Sequence, residues 1–371
     1  MPSSILSRTR CTAAKPALAF VLLLIMKSLG QTLWLIAMSL GLTTCCMSMP
    51  VDSDPAFQTP QPPTNESCIM ANYSPPAKTA KFGADTAISR VIGEPVLAPF
   101  GRLLFPVRSA YYGGSTLGDL ELTWYGSLQP DMTVAVVNNL YQRAEAGETV
   151  FYDIYTEAEK RRDPAKRDTG LFFFKGRPGA QFSVCNAGGG FVYVGAMQDS
   201  FPHALTLSRK GYNAFALIYR PGAYTACEDL ARAIAFVFAH ARELEVGTRG
   251  YSLWGGSAGA RMAAWLGVYG TERFGESAYP RPAAVIMQYT GLSEVTGREP
   301  PTYSCVGDSD GIADYRIMAA RTAALQSRGI EAQIEVFPGL SHGFGLGTGT
   351  AAEGWIDRAA AFWQKQIDRQ K

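Results

Sequence analysis

From residue 171 the chain alternates short apolar strand-like runs with longer helical ones, and no other feature restricts its fold as much. The strand-like runs are 171–175, 181–185, 214–219, 251–254, 284–289, 303–306 and 332–337. Helix-like runs fall at 200–210, 225–244, 257–270, 314–328 and 353–368. In 225–244, Leu230, Ile234, Val237 and Phe238 recur at helical spacing, with Asp229, Arg232 and Glu243 expected on the solvated side. Short, continuously apolar strands must be buried on both faces, and parallel strands need a crossover between them. The pattern therefore predicts an α/β fold, a mostly parallel twisted sheet with helices on both faces, over residues 151–371. No internal repeat is visible.

The first 150 residues read differently. Residues 17–42 are mostly apolar but interrupted by Lys27 and Gln31. Started at Met1, this is an irregular signal anchor. Started at Met26, Lys27 forms a basic n-region, 33–42 an apolar h-region, and Leu42-Thr-Thr-Cys45 resembles a lipoprotein box with Cys45 as the lipidation candidate. Residues 1–48 are thus read as a targeting segment, which implies export to a periplasmic or membrane-anchored location. Its alternatives are cleavage and retention as a membrane helix. Residues 49–80 carry seven prolines and read as a linker. Residues 81–150 are read as a cap-like segment, with strand-like pieces at 102–106, 120–124 and 150–155 and a helix at 132–144. The seven cysteines show no metal-ligand spacing. Export permits a disulfide among Cys68, Cys185, Cys227 and Cys305, while Cys185 and Cys305, in strand-like runs, read as free core residues. With a net charge of +2, the single basic cluster at 160–167 reads as a solvated loop, which argues against a nucleic-acid partner.

The chemistry is concentrated in three loops that follow strand-like runs. Gly255-Gly-Ser257-Ala258-Gly259 links the run 251–254 to a helical one, the setting of a nucleophile elbow that exposes Ser257 Oγ at a helix N-terminus. A second G-x-S-x-G, Gly339-Leu-Ser341-His-Gly343, precedes Gly345, Gly347 and Gly349, so no helix is expected to start there. A serine needs a base, and the chain has three histidines. His342 lies just after the last strand-like run. His240 reads as a surface residue near a helix end, and His203 as a structural or pocket-edge residue. The loop Gly307-Asp308-Ser-Asp310-Gly-Ile-Ala-Asp314 offers the carboxylate; Asp314 looks like a helix cap, leaving Asp310, with Asp308 as the alternative acid. The order Ser257, acid, His342 is that of the α/β-hydrolases. Gly188-Gly189-Gly190-Phe191 brings backbone close to a substrate. N–H groups from Gly189, Gly190 or Phe191, with that of Ala258, are the candidate oxyanion hole. The loop lacks the G-x-G-x-x-G spacing and P-loop lysine of a phosphate site, so no cofactor is expected.

From about residue 152 onward the chain resembles α/β-hydrolases of the acetyl-esterase and carbohydrate-esterase kind, near the hormone-sensitive-lipase-like group. The matching pieces are Ala187-Gly-Gly-Gly-Phe191, Lys210-Gly-Tyr-Asn-Ala-Phe215, Tyr219-Arg220, Gly255-Gly-Ser-Ala-Gly259, Gly307-Asp-Ser-Asp310 and Phe337-Pro-Gly-Leu-Ser-His-Gly343. The resemblance implies Ser257 as nucleophile, His342 as base, Asp310 as acid and the glycine loop as oxyanion hole. It implies hydrolysis of short-chain acyl or acetyl esters, on a small-molecule or carbohydrate alcohol, without metal or cofactor. Asn186-Ala187 stands where the lipase-like branch commonly has His-Gly, and the acid loop holds an extra aspartate. The rival expectations are a peptidase similar to the prolyl-oligopeptidase group, for whose propeller residues 81–150 are too few, an acyltransferase, and a non-catalytic surface lipoprotein.

Overall fold

The computed structural model describes residues 80–126 and 128–370, which belong to one compact unit, Cys68–Lys371. Met26, Cys45, Cys68 and the targeting and linker segments lie outside the described residues. No helix among the described residues is long and apolar enough to cross a membrane.

The strands are β1 (Tyr112–Gly113), β2 (Glu121–Leu122), β3 (Phe151–Tyr152), β4 (Gly170–Phe174), β5 (Gln181–Asn186), β6 (Asn213–Ile218), β7 (Gly247–Gly256), β8 (Ala284–Gln288), β9 (Thr302–Gly307) and β10 (Ala332–Phe337). Strands β1 and β2 pair with each other. The other eight form one sheet in the order β10-β9-β8-β7-β5-β6-β4-β3. From β10 to β6 every pairing is parallel; β4 and β3 join antiparallel at the far edge. The predicted alternation holds, and each helix-like run appears as a helix: Phe201–Arg209, Ala223–Ala239, Ala258–Tyr269, Tyr315–Gln326 and Trp355–Asp368. Strands β4, β6, β8 and β9 are buried at every position, as a sheet covered on both faces requires. The C-terminal helix seals one face by setting Trp355 and Trp363 against Trp254, with ring centroids 6.2 and 6.3 Å apart. Cys185, Cys227 and Cys305 are buried, free thiols, and burial pushes the first two up to about 12.

The N-terminal part departs from expectation in several places. Residues 102–106 are not a strand: Gly101–Leu104 is a 3-10 turn that buries Leu103 and Leu104 together. The strand expected at 150–155 shrinks to β3, because Tyr155 turns away to donate to Asp229 at 2.6 Å. The basic cluster is not a plain solvated loop either. Thr156 and Glu159 form a capping box on the helix Glu157–Arg162, and Lys160 is buried against Asp153 and Glu157.

Asp229 corrects the helical-wheel reading most clearly. It is fully buried, and it accepts the Arg220 backbone N–H at 2.7 Å and the guanidinium at 2.7 and 3.0 Å. The wheel could not show this, because the partner lies nine residues earlier, just past the end of β6, and not on the helix itself. Removing Asp229 leaves the guanidinium with Asp163 and Glu228 at its outer edge and the Tyr155 hydroxyl without its acceptor. Asp229→Ala is therefore expected to lower the unfolding free energy by about 3 kcal/mol in a urea titration.

Candidate active site

The loops after β5, β7, β9 and β10 converge at the carboxyl ends of the parallel strands. This is where open α/β sheets place their sites, beside the switch point at which β5 has β6 on one side and β7 on the other.

Ser257 sits between β7 and the helix Ala258–Tyr269 with φ 52° and ψ −114°, a strained conformation for a side-chain-bearing residue. Its N–H is held by Gln288 O at 3.0 Å. The flanking glycines are steric necessities. A Cβ on Gly259 would lie 2.0 Å from Asn186 O, and one on Gly255 would lie 2.3 Å from the Gly259 backbone. The second G-x-S-x-G takes a different shape: Gly339, Gly343 and Gly345 all have positive φ, and the next helix is Trp355–Asp368.

That second motif delivers His342. Its Nε2 lies 3.0 Å from Ser257 Oγ and its Nδ1 lies 2.8 Å from Asp310 Oδ2. The His342 side chain is 8 % exposed and that of Asp310 is fully buried. Asp310 Oδ1 accepts the N–H groups of Ile312 and Ala313, each at 2.8 Å, so both carboxylate oxygens are engaged. Asp308 points elsewhere. Its Oδ1 accepts Gly339 N–H at 2.7 Å and ties the histidine loop to the end of β9. Asp314 caps the helix Tyr315–Gln326 by accepting Arg316 N–H.

The other two histidines take supporting and peripheral places. His203 is buried, with Nε2 2.7 Å from Gln288 Oε1. Burial pushes its imidazole down to about 4, so it stays neutral, and an amide oxygen opposite requires the proton on Nε2. Gln288 Nε2 then donates to Gly345 O at 2.9 Å, and Gln198 Nε2 donates to Gly343 O at 2.6 Å. The loop of His342 is thus held from below by side chains that sequence patterns did not single out. His240 is at the surface, paired with Glu243 at 3.1 Å.

In the glycine loop, Gly188 N–H is taken by Asp199 Oδ2 at 3.1 Å. No acceptor for the N–H groups of Gly189, Gly190, Phe191 or Ala258 is found among the described residues. The loop is fastened from β6: Tyr219 O–H donates to Ala187 O at 2.6 Å, and Gly222 N–H to Phe191 O at 2.8 Å. Phe191, with φ 60°, stacks its ring on Trp265, the centroids 6.0 Å apart. Trp124 comes from the N-terminal part with φ 72° and is 53 % exposed. Its indole edge lies 3.0 Å from where a Cβ on Gly190 would be. Tyr193 lies beside it, stacked on Tyr111 at 4.9 Å. Trp124 carried no local signal, since it is brought to the site from over 60 residues before the glycine loop.

Residues 180–324 match the BD-FAE family model, a span that holds Ser257 and Asp310 and ends before His342. Among curated proteins, none matches the chain. An acetyl ester-xyloside bifunctional hydrolase from Caldicellulosiruptor lactoaceticus is 20 % identical, covering 58 % of this chain and 95 % of its own, with a TM-score of 0.51. A thermophilic esterase from the Planctomycetes species Thermogutta terrifontis, solved with propionate bound, is 23 % identical, covering 53 % and 89 %, with a TM-score of 0.48. A sugar hydrolase from Lactococcus lactis is 19 % identical, covering 55 % and 96 %, with a TM-score of 0.47. The sheet order, the elbow after β7 and the likeness to the Caldicellulosiruptor lactoaceticus hydrolase lead to one conclusion: the chain has the α/β-hydrolase fold, and over residues 180–324 it resembles the BD-FAE family.

Proposed function

We propose that the protein is a serine hydrolase of carboxylic esters. The observation that carries this is the unbroken line Ser257 Oγ, His342, Asp310, with contacts of 3.0 and 2.8 Å. The Asp310 carboxylate fixes Nδ1–H on His342, which leaves Nε2 as the acceptor facing Ser257. His342 takes the hydroxyl proton as Oγ attacks the ester carbonyl. The carbonyl oxygen becomes an oxyanion within reach of the Ala258 N–H and those of Gly189, Gly190 or Phe191. The tetrahedral intermediate collapses, the alcohol leaves with the proton from His342, and an acyl-Ser257 ester remains. Water, deprotonated by His342, attacks that ester, and His342 returns the proton to Ser257 Oγ as the acid leaves. Short acyl or acetyl groups, including those on carbohydrate alcohols, are the substrates the reading favours. It is supported by what the Caldicellulosiruptor lactoaceticus protein is described as hydrolysing. Residues 1–48 support export of the protein, with Cys45 as the lipidation candidate.

The test is turnover of p-nitrophenyl acetate, butyrate and octanoate by the full chain. The expected result is hydrolysis of acetate and butyrate, with kcat/KM about 10-fold or more lower on octanoate. Folded protein inert on all three esters would sink the reading.

A further inference from the structure

A second carboxylate lies beside the Ser257 elbow, and the reaction above makes no use of it. Asp199 ends the short helix Ala196–Asp199 and is 1 % exposed. Its Oδ2 accepts the Tyr125 O–H at 2.6 Å and the Gly188 N–H at 3.1 Å; its Oδ1 accepts the Tyr289 O–H. A Cβ on Gly256 would fall 2.6 Å from Oδ2, so the carboxylate packs on the residue that precedes Ser257. Both tyrosine rings in turn pack on His342. The Tyr125 centroid is 6.5 Å from that of the imidazole at an interplanar angle of 24°, and the Tyr289 centroid is 4.9 Å away at 59°.

Burying a carboxylate is costly unless donors and a nearby positive charge offset it. Here three donors converge on the two oxygens. A neutral amide could tie the same loop at a smaller desolvation cost, so the choice of an acid calls for an electrostatic reason. That reason is the imidazolium, which forms on His342 each time a proton is taken from Ser257. The groups facing Asp199 are Tyr125, Tyr289, Tyr193, Tyr219 and His342. Burial pushes all four phenols up, so they stay neutral and act as donors or dipoles. Burial also raises Asp199, against which the Tyr125, Tyr289 and Gly188 hydrogen bonds and the His342 charge work. His342 faces Asp310, Ser257, the two tyrosine rings and Asp199.

We propose that Asp199 is an ionised positioning residue, which sets the glycine loop through Gly188 and stabilises protonated His342 across Tyr125 and Tyr289. The proposal rests on the reading of Ser257 and His342 as the reacting pair. Its test measures protonation as well as turnover, so that the two can fail separately. The full chain has three histidines, and His342→Ala assigns the imidazole signal in an NMR titration. Loss of a negative charge disfavours the imidazolium, so Asp199→Asn is expected to lower the His342 midpoint by about 0.5 unit or more. The acidic limb of kcat/KM should move to lower pH with it, and kcat should fall about 10-fold with KM nearly unchanged. Asp199→Ser removes the same charge, keeps an acceptor, and should shift the midpoint in the same direction if the asparagine variant does not fold. Asp310→Asn supplies an arm in which Asp199 is untouched. There His342 should still titrate above His203, whose ring faces only the neutral amide of Gln288. An unmoved midpoint in a folded Asp199 variant, or a His342 midpoint as low as that of His203 in Asp310→Asn, overturns the proposal. A chain that shows the midpoint shift yet hydrolyses no ester would instead count against the esterase reading.

Discussion

Ser257→Ala is expected to lower kcat on p-nitrophenyl acetate by about 10⁶-fold, close to the loss of the whole nucleophile–base unit. That corresponds to about 8 kcal/mol of transition-state stabilisation. The size follows from the geometry. His342 has no other nucleophile within hydrogen-bond distance among the described residues, so without Oγ its proton transfer has nothing to activate. A stopped assay over hours reads the residue, and intact-mass measurement should show no acylation of the variant. Stability should barely change, because Ser257 Oγ points at His342 and the strain at φ 52° belongs to the backbone. Turnover retained within about 10-fold would exclude Ser257 as the nucleophile.

Asp310→Asn should cost about 10⁴-fold in kcat, the next largest effect. An asparagine amide facing Nδ1 favours the tautomer with the proton on Nε2, which then faces Ser257 as a donor and accepts nothing. Asp308→Asn is the matched control. An asparagine Oδ1 still accepts the Gly339 N–H, so kcat should stay within about threefold of the parent. Steady-state kinetics on the two variants side by side decide between two acids only two residues apart. The reverse ranking would mean that the loop after β9 rearranges on binding substrate.

Those two aspartates also show where local reading stops. The loop after β9 is legible as a source of carboxylates because a polar, glycine-bearing run follows an apolar one. Which carboxylate reaches His342 depends on how β10 lies in register against β9, with Val336 opposite Val306 and Phe337 opposite Gly307. That pairing brings Gly339 down onto Asp308 and swings His342 over Asp310. Asp229 is a parallel case: on its helix it reads as a polar face, and only the end of β6 supplies Arg220 to bury it.

Short-range chemistry needs only neighbours, and those the sequence determined by itself. Strand and helix periods, the glycines that let the backbone turn at 255–259, the short menu of bases and acids, and the chain order of the three were all readable residue by residue. Tertiary structure decided everything that depends on distant segments meeting. It chose Asp310 as the partner of His342, set His203 and Gln288 under the histidine loop, and carried Trp124 and Tyr125 to the glycine loop. It also gathered Tyr125, Gly188 and Tyr289 around one buried aspartate. A side chain's period along the chain says which face it presents; only the packing of several elements says which charge or donor waits there.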